Sequence, residues 1–238
     1  MGIVRAERHQ ISRVWAWLGR HEFGTLAALF VLAAALLGFG TLAEAVLEGD
    51  TLAFDRAVLL ALRDPANPAD PLGPPWIEKA ALDLTSLGSV TVLALVSAAA
   101  AGFLAVVREY PAALLVLAST GGGRVVGDLL KDAFARPRPD LALQVVPVDT
   151  AGFPSGHAAL AAATYLTLGA LLTRVRPDPR AKGYLLSVAV LLTLLVGASR
   201  VYLGVHWPSD VLAGWSIGSA WAMLCWLVAA RVGRIERS

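Results

Sequence analysis

Charged residues and cysteine are scarce in this chain. Only 16% of its 238 residues are charged, whereas 57% are apolar and the mean hydropathy is +0.65, which excludes an ordinary soluble domain. The net charge of +2 is too small to indicate a nucleic-acid partner. The single cysteine, Cys225, excludes an internal disulfide, and because it lies in an apolar run we interpret it as a packing residue. The composition predicts a protein whose solvent is the lipid bilayer.

Apolar runs predict how the chain crosses the membrane. A transmembrane helix needs about 20 apolar residues. Six segments reach or approach this length, namely 24–43, 84–107, 110–130, 158–173, 183–204 and 211–230. We therefore expect an all-α fold, a bundle of six transmembrane helices. Residues 24–230 would form one domain between a cytoplasmic N-terminal segment, 1–23, and a cytoplasmic tail, 231–238.

Basic residues predict the orientation of the bundle. Arginines are concentrated before the first run, in the segment 174–182 and after residue 230, and six crossings would place these regions on one side. Because positive charge marks the cytoplasmic side, the opposite helix ends should face the periplasm or the cell exterior. The first run, which ends in Ala43-Glu44-Ala45, also has features of a cleavable secretory signal. We favour a retained helix, because the run is longer than the apolar region of a signal.

The segment 47–83 is too long for a simple connector. It is acidic and rich in proline, and it lies on the predicted outer side. Its apolar residues have a helix-like spacing at Phe54, Val58, Leu59 and Leu62. This spacing is compatible with a helix along the membrane interface, and a solvated loop fits equally well.

The first of three polar clusters follows the run 110–130. It contains Lys131 and Arg138-Pro139, and the neighbouring prolines would end the helix and stiffen the segment that presents the guanidinium. Arginine offers a planar fork of donors that matches phosphate oxygens, and lysine adds a mobile point charge. Arg124 and Asp128 share a helix face with Lys131, and we interpret them as an internal ion pair. The role of Arg136 stays open.

The second cluster, Pro154-Ser155-Gly156-His157, immediately precedes the run 158–173. A helix N-terminus favours an anion through its free N–H groups and its dipole. Serine can cap the helix or donate to phosphate, and glycine lets the backbone approach closely. A simple helix cap is the alternative interpretation, and His157 favours the functional one.

The third cluster consists of Ser199-Arg200 at the end of one helix and His206 with Asp210 at the start of the next. Pro208 is a good first helical residue, and His206 and Asp210 are four residues apart, so their side chains can meet. A carboxylate bonded to Nδ1 leaves the Nε2 lone pair free, as a nucleophilic imidazole requires. Asp210 can also stabilise the helix dipole, and the two roles are compatible.

The three clusters together resemble the tripartite signature of the type 2 phosphatidic acid phosphatase superfamily, over a region of residues 84–230. The matching motifs are Lys131-x6-Arg138-Pro139, Pro154-Ser155-Gly156-His157 and Ser199-Arg200-x5-His206-x3-Asp210. The resemblance implies that His206 attacks phosphorus to form a phosphohistidine, that Asp210 holds His206, and that His157 protonates the leaving oxygen. The phosphate-binding residues that it implies are Lys131, Arg138, Ser155, Gly156 and Arg200.

The resemblance implies an integral membrane hydrolase that removes the terminal phosphate of a lipid phosphate or diphosphate, and we expect undecaprenyl diphosphate. Phosphatidylglycerol phosphate, phosphatidic acid and lipid A phosphates are the alternatives that the family offers. The expected partners are this lipid substrate and membrane lipids, with no obligate protein partner. No cofactor or metal is expected, because Lys131, Arg138 and Arg200 would repel a divalent cation and already neutralise phosphate charge.

Two other functions compete with hydrolysis. Soluble members of the superfamily are vanadate-dependent haloperoxidases, but six membrane segments disfavour that activity. A transporter could bind phosphorylated lipids with the same cations and perform no chemistry. Such a binding site would not need an imidazole oriented by a carboxylate, so the pair His206 and Asp210 favours the enzyme.

Overall fold

The computed structural model describes residues 3–174 and 178–235. The regular secondary structure within these ranges consists of α-helices, one short 3-10 turn and an isolated bridge between Arg63 and Pro71. The helices are α1 (Ile3–Glu48), α2 (Leu52–Leu60), α3 (Pro75–Ser86), α4 (Val90–Val106), α5 (Tyr110–Phe134), α6 (Gly156–Leu172), α7 (Pro179–Tyr202) and α8 (Pro208–Ile235). The all-α prediction is confirmed. Arg176 and Arg237, which belong to two of the predicted cytoplasmic regions, lie outside the described residues.

Four helices in the described part of the chain are long and apolar enough to cross a membrane: residues 25–48 of α1, then α5, α7 and α8. Helices α3 and α4 pass the same test only as a pair, which bends by 49°. Ser89 lies at this bend and caps α4, where its Oγ accepts a hydrogen bond from the N–H of Val92 at 3.2 Å. The run 84–107 is therefore two helices and not the single one that we predicted. The described residues therefore contain four candidate spans, or five if the bent pair forms one span. Helix α6 is not counted, because it has only 17 residues.

Helix α6 is the buried centre of the bundle. Residues 158–165 are all buried, and most of them are alanines, so α5, α7 and α8 can pack closely around the helix. A Cβ atom at Gly218 of α8 would overlap the carbonyl group of Ala159, which shows how closely the two backbones approach. Hydroxyl groups add polar contacts between helices, as Thr120 bonds Ser97 at 2.7 Å and Thr164 at 3.1 Å. Small residues thus determine the spacing of the bundle.

The segment 47–83 contains the helix α2, in the part where the apolar spacing is compatible with a helix. Its helix α2 packs against α8 with Asp55 and Leu59 buried. The segment is also anchored by Arg63, which is 2% exposed and donates to the carbonyl oxygens of Tyr202 at 2.8 Å and Leu143 at 2.9 Å. A cation at the C-terminus of α7 is favoured by the helix dipole. The segment therefore forms a protein cap over one end of the bundle.

An aromatic cluster joins α1 to this end of the bundle. The rings of Phe134 and Phe153 are 4.9 Å apart between centroids, and Phe39 lies 5.9 Å from Phe153. Ala43 of α1 is buried against the same rings. Because Phe153 directly precedes the second polar cluster, the end of α1 holds the segment that enters α6.

Candidate active site

A cavity of about 530 Å³ lies at the end of the bundle where α5 and α7 end and α6 begins. Six of the eight predicted site residues line it, namely Lys131, Arg138, Gly156, His157, Arg200 and His206. The remaining wall comes from the bend between α3 and α4, from α5 and from the segment 148–151. Asp210 lies behind His206, and the side chain of Ser155 is fully buried outside the lining. Three clusters that are distant in the sequence thus meet at one cavity.

His206 is buried between a carboxylate and a guanidinium. Its Nδ1 lies 3.4 Å from Oδ2 of Asp210, and its Nε2 lies 3.0 Å from Nη1 of Arg138. A guanidinium can only donate, so Nε2 must accept with its lone pair and the ring proton must be on Nδ1, facing Asp210. This tautomer is the one that a nucleophilic imidazole needs, with the lone pair directed at the cavity.

The environment of His206 keeps the ring neutral. Burial, and after it the positive charges of Arg138, Arg200 and Lys131, lower the pKa of His206 well below its usual value. A neutral ring retains the Nε2 lone pair at pH 7. The cations that line the cavity therefore also preserve the lone pair on Nε2 of His206.

Arg138 is fixed by the segment that follows it. Its Nε donates to the carbonyl oxygen of Thr150 at 2.6 Å, and its Nη2 donates to the Thr150 hydroxyl at 3.0 Å. A further bond of 2.5 Å runs from Nη1 to the carbonyl oxygen of Val205, next to His206. Thr150 was not predicted as a site residue, and its contacts set the position of the guanidinium.

Arg200 lines the cavity and has one buried donor without a partner in the described part of the chain. Its Nη1 donates to the hydroxyl of Thr85 at 2.9 Å, while its buried Nε has no hydrogen-bond partner among the described residues. The Oγ of Ser155 is likewise buried and unpaired there, and the N–H of Ser155 donates to the carbonyl oxygen of Asp210 at 2.9 Å. Buried polar atoms without a partner are rare, and both of these atoms belong to residues that the sequence predicts to bind phosphate.

Lys131 reaches the first turn of α6. A Cβ atom built on Gly156 would lie 3.5 Å from Nζ of Lys131, so glycine leaves room for the ammonium group to approach the backbone. The N-terminus of α6 and Lys131 together provide N–H groups and a positive charge at one place. His157 follows directly in the same turn and lines the same cavity.

The predicted ion pair on α5 is present. Nε of Arg124 lies 2.7 Å from Oδ2 of Asp128, and the side chains are about half exposed, at 47% and 45%. Both residues line the edge of the cavity. This position explains how charged groups are tolerated on an otherwise apolar helix.

Arg136 is the main site residue that the sequence left unassigned. Its guanidinium donates to Oδ1 of Asp210 at 2.6 Å and to Oδ2 of Asp55 at 2.8 Å. The two partners come from opposite ends of the chain, and Asp55 is 81 residues from Arg136. The available sequence signal was an isolated acid within the apolar stretch of α2, together with an Arg-Pro pair inside the first cluster.

In the described part of the chain, no group of three or more His, Cys, Asp or Glu side chains is arranged to hold a metal ion.

Comparison with known proteins identifies the family. Residues 112–234 match the family model of the PAP2 superfamily. The chain belongs to the PAP2 superfamily. Phosphatidylglycerophosphatase B of Bacillus subtilis is 34% identical over 165 residues, which cover 68% of this chain and 79% of that protein. Undecaprenyl-diphosphatase of Sulfolobus acidocaldarius is 38% identical over 101 residues, which cover 40% of this chain and 44% of that protein.

The fold of this PAP2 protein is also that of a solved relative. The crystal structure of the first transmembrane PAP2 type phosphatidylglycerolphosphate phosphatase from Bacillus subtilis superposes with a TM-score of 0.72 at 28% identity. The match covers 85% of this chain and 98% of that one. The family that the sequence resembles is confirmed. The protein is a multi-pass membrane member of a family of hydrolases that act on lipid phosphates.

Proposed function

We propose that this PAP2 protein hydrolyses the terminal phosphate of a lipid diphosphate, undecaprenyl diphosphate, through a phosphohistidine at His206. The observation that carries the proposal is the buried His206 itself, whose Nδ1 faces Asp210 and whose Nε2 faces the cationic cavity. Transport without chemistry would not require this orientation of the ring. Lys131, Arg138, Gly156 and Arg200 line the same cavity, which supports their assignment to the phosphate-binding set. Ser155, whose buried side chain does not line the cavity, stays a prediction.

The first half of the reaction forms the phosphohistidine. The phosphate oxygens take over the donors of Arg138, which releases the Nε2 lone pair of His206 to attack phosphorus. The bond from phosphorus to the bridging oxygen breaks, and His157 donates a proton to that oxygen, so the lipid leaves as its monophosphate. The cations around the cavity stabilise the charge on the three equatorial oxygens. His157 requires a proton at a helix N-terminus, and the bound phosphate supplies the compensating negative charge.

The second half of the reaction regenerates the enzyme. His157, now neutral, accepts a proton from a water molecule as the water oxygen attacks phosphorus. The bond between phosphorus and Nε2 breaks, its electron pair returns to His206, and inorganic phosphate leaves. Asp210 stabilises the imidazolium that exists between the two steps, because the phosphorylated ring still holds its Nδ1 proton.

We further propose that the chain crosses the membrane six times and that the site faces the periplasm or cell exterior. The pair α3 and α4 would form one broken span, and α6 would complete the six as a helix enclosed by protein. Both termini and the segment 174–182 would then be cytoplasmic, in agreement with the positive-inside distribution of arginine. An outward site suits a lipid diphosphate that is dephosphorylated at the outer face of the cell membrane.

Hydrolysis is expected to proceed without a metal ion. Lys131, Arg138 and Arg200 provide the positive charge that divalent cations supply in many other phosphoryl-transfer sites. Purified protein should therefore release phosphate at an unchanged rate in buffer that contains EDTA. Inhibition by EDTA that zinc or magnesium reverses would contradict this expectation, and EDTA presaturated with calcium is the control.

The choice of substrate is tested by a panel in detergent micelles. Phosphate release is measured with undecaprenyl diphosphate, phosphatidylglycerol phosphate and phosphatidic acid under identical conditions. We expect the highest kcat/KM for the diphosphate, because its leaving group is a phosphate, which is far less basic than an alkoxide. A higher kcat/KM for phosphatidylglycerol phosphate would instead assign the activity of the Bacillus subtilis relative to this chain. Absence of release from all three lipids would contradict the enzymatic proposal.

A further inference from the structure

One buried guanidinium is shared by two buried carboxylates directly behind the nucleophile. Arg136 is 9% exposed, and Asp55 and Asp210 are fully buried. Nη1 of Arg136 binds Oδ1 of Asp210, and Nη2 binds Oδ2 of Asp55, at 2.6 Å and 2.8 Å respectively. The three groups carry two negative charges and one positive charge. The cluster therefore has a net charge of −1, placed against the Nδ1 side of His206.

We propose that Asp55 and Arg136 are positioning residues for the nucleophile, in which Asp55 prevents Arg136 from neutralising Asp210. This inference rests on the proposed function, in which His206 becomes positively charged when Nε2 is phosphorylated. Without Asp55, the guanidinium would have Asp210 as its one charged partner, and the negative charge facing His206 would be cancelled. With Asp55, one negative charge remains for the imidazolium.

The surroundings of His206 explain why this remaining charge matters. The charged or titratable groups that act on the ring from the cavity side include Lys131, Arg138, Arg200 and His157, and the cavity is also lined by Arg124, Asp128 and Asp132. The first four are cationic or can become so, and these oppose a positive charge on the ring. Asp210 is the one carboxylate that contacts the ring among the described residues. In a buried site the interaction of these charges is only weakly screened, so the net charge behind Asp210 affects the imidazolium directly.

Asp55 also fixes the backbone that carries Asp210. Its Oδ1 accepts the N–H of Ser209 at 2.9 Å, and its Oδ2 accepts the Ser209 hydroxyl at 2.6 Å. Ser209 lies in the first turn of α8, where free N–H groups favour an acid. Asp55 thus caps α8 from another helix, and Asp210 caps the same turn through the N–H of Trp207 at 3.0 Å. The cap formed by the segment 47–83 is in this way connected to the orientation of the nucleophile.

A charge-balance series tests this inference. Asp55→Asn keeps the size of the side chain and one of its two acceptor oxygens, and it changes the net charge of the cluster from −1 to 0. Asp55→Asn with Arg136→Gln returns the net charge to −1. We expect Asp55→Asn to lower kcat about ten-fold with little change in KM, and the double variant to recover to within about three-fold of the wild type. Asp70→Asn, an exposed acid in the same segment, is the matched control and should behave as wild type.

Each outcome of the series has a definite meaning. A double variant as slow as Asp55→Asn, or slower, would overturn the inference, since loss of structure alone does not reverse when a second partner is removed. Wild-type kcat in Asp55→Asn would overturn it as well. If thermal unfolding shows that Asp55→Asn is not folded, the double variant decides: kcat within about three-fold of wild type supports the inference, and a greater than ten-fold loss overturns it. Failure of the proposed function is distinct, because wild-type protein would then release no phosphate.

Discussion

Replacement of His206 by alanine is expected to lower kcat for phosphate release by at least about a thousand-fold, because the reaction loses its nucleophile. His206 is 1% exposed, and its Nε2 is bonded to Arg138 at the cavity wall. No other imidazole among the described residues is paired with a carboxylate in this way. Release of inorganic phosphate from undecaprenyl diphosphate, measured in detergent, checks the expectation.

A trapping experiment separates loss of the nucleophile from loss of structure. Wild-type protein that is mixed with substrate labelled in the terminal phosphate and quenched in base should retain an acid-labile label, and His206→Ala should retain none. Thr193→Val is a suitable control, because Thr193 is buried on α7 and does not line the cavity. Equal phosphate release from wild type and His206→Ala would eliminate the phosphohistidine mechanism.

Replacement of His157 by alanine is expected to lower kcat by a factor that depends on the leaving group of the substrate. General acid catalysis contributes a factor of about 10² to 10⁴, and it contributes most when the leaving oxygen is strongly basic. The leaving group of phosphatidic acid is the alkoxide of diacylglycerol, so His157→Ala should lower kcat for this substrate about a thousand-fold. The leaving group of undecaprenyl diphosphate is the lipid monophosphate, whose oxygen is less basic. The loss of kcat for this substrate should therefore be about ten-fold, since acid catalysis matters less.

The two substrates are compared on one preparation of the variant, so each serves as the control for the other. Arg200→Ala provides a further contrast, because Arg200 is placed to bind the phosphate that both substrates share. Its loss of kcat/KM should be similar for the two. A uniform loss for His157→Ala across both substrates would argue that His157 binds phosphate and does not protonate the leaving oxygen.

The polar clusters were predictable from the sequence because each is local and lies at a helix end. Prolines and glycines marked the ends of the helices, and the cationic and imidazole residues in the clusters indicated a binding site for an anion. The structure brings His157, Arg200 and His206 to one cavity. The same local logic anticipated the ion pair between Arg124 and Asp128, which are one helical turn apart.

The contacts behind the nucleophile were not predictable in this way. Asp55 and Arg136 are far apart in the sequence, and neither hydropathy nor motif spacing carries information on such a pairing. Hydropathy also failed at the bend between α3 and α4, because an apolar run does not show where a serine cap interrupts it. The anchoring of the segment 47–83 was not predictable for a related reason: Asp55 and Arg63 are buried by partners that the sequence does not reveal.

The enclosure of α6 has a consequence for how the protein tolerates different membranes. A helix in contact with lipid must match the hydrocarbon thickness by tilting or by deforming the bilayer. Residues 158–165 touch protein on all sides, so α6 is exempt from this requirement, and peripheral helices such as α1 and α4 accommodate any mismatch. The position of His206 relative to α6 is consequently set by contacts within the polypeptide and not by contacts with lipid.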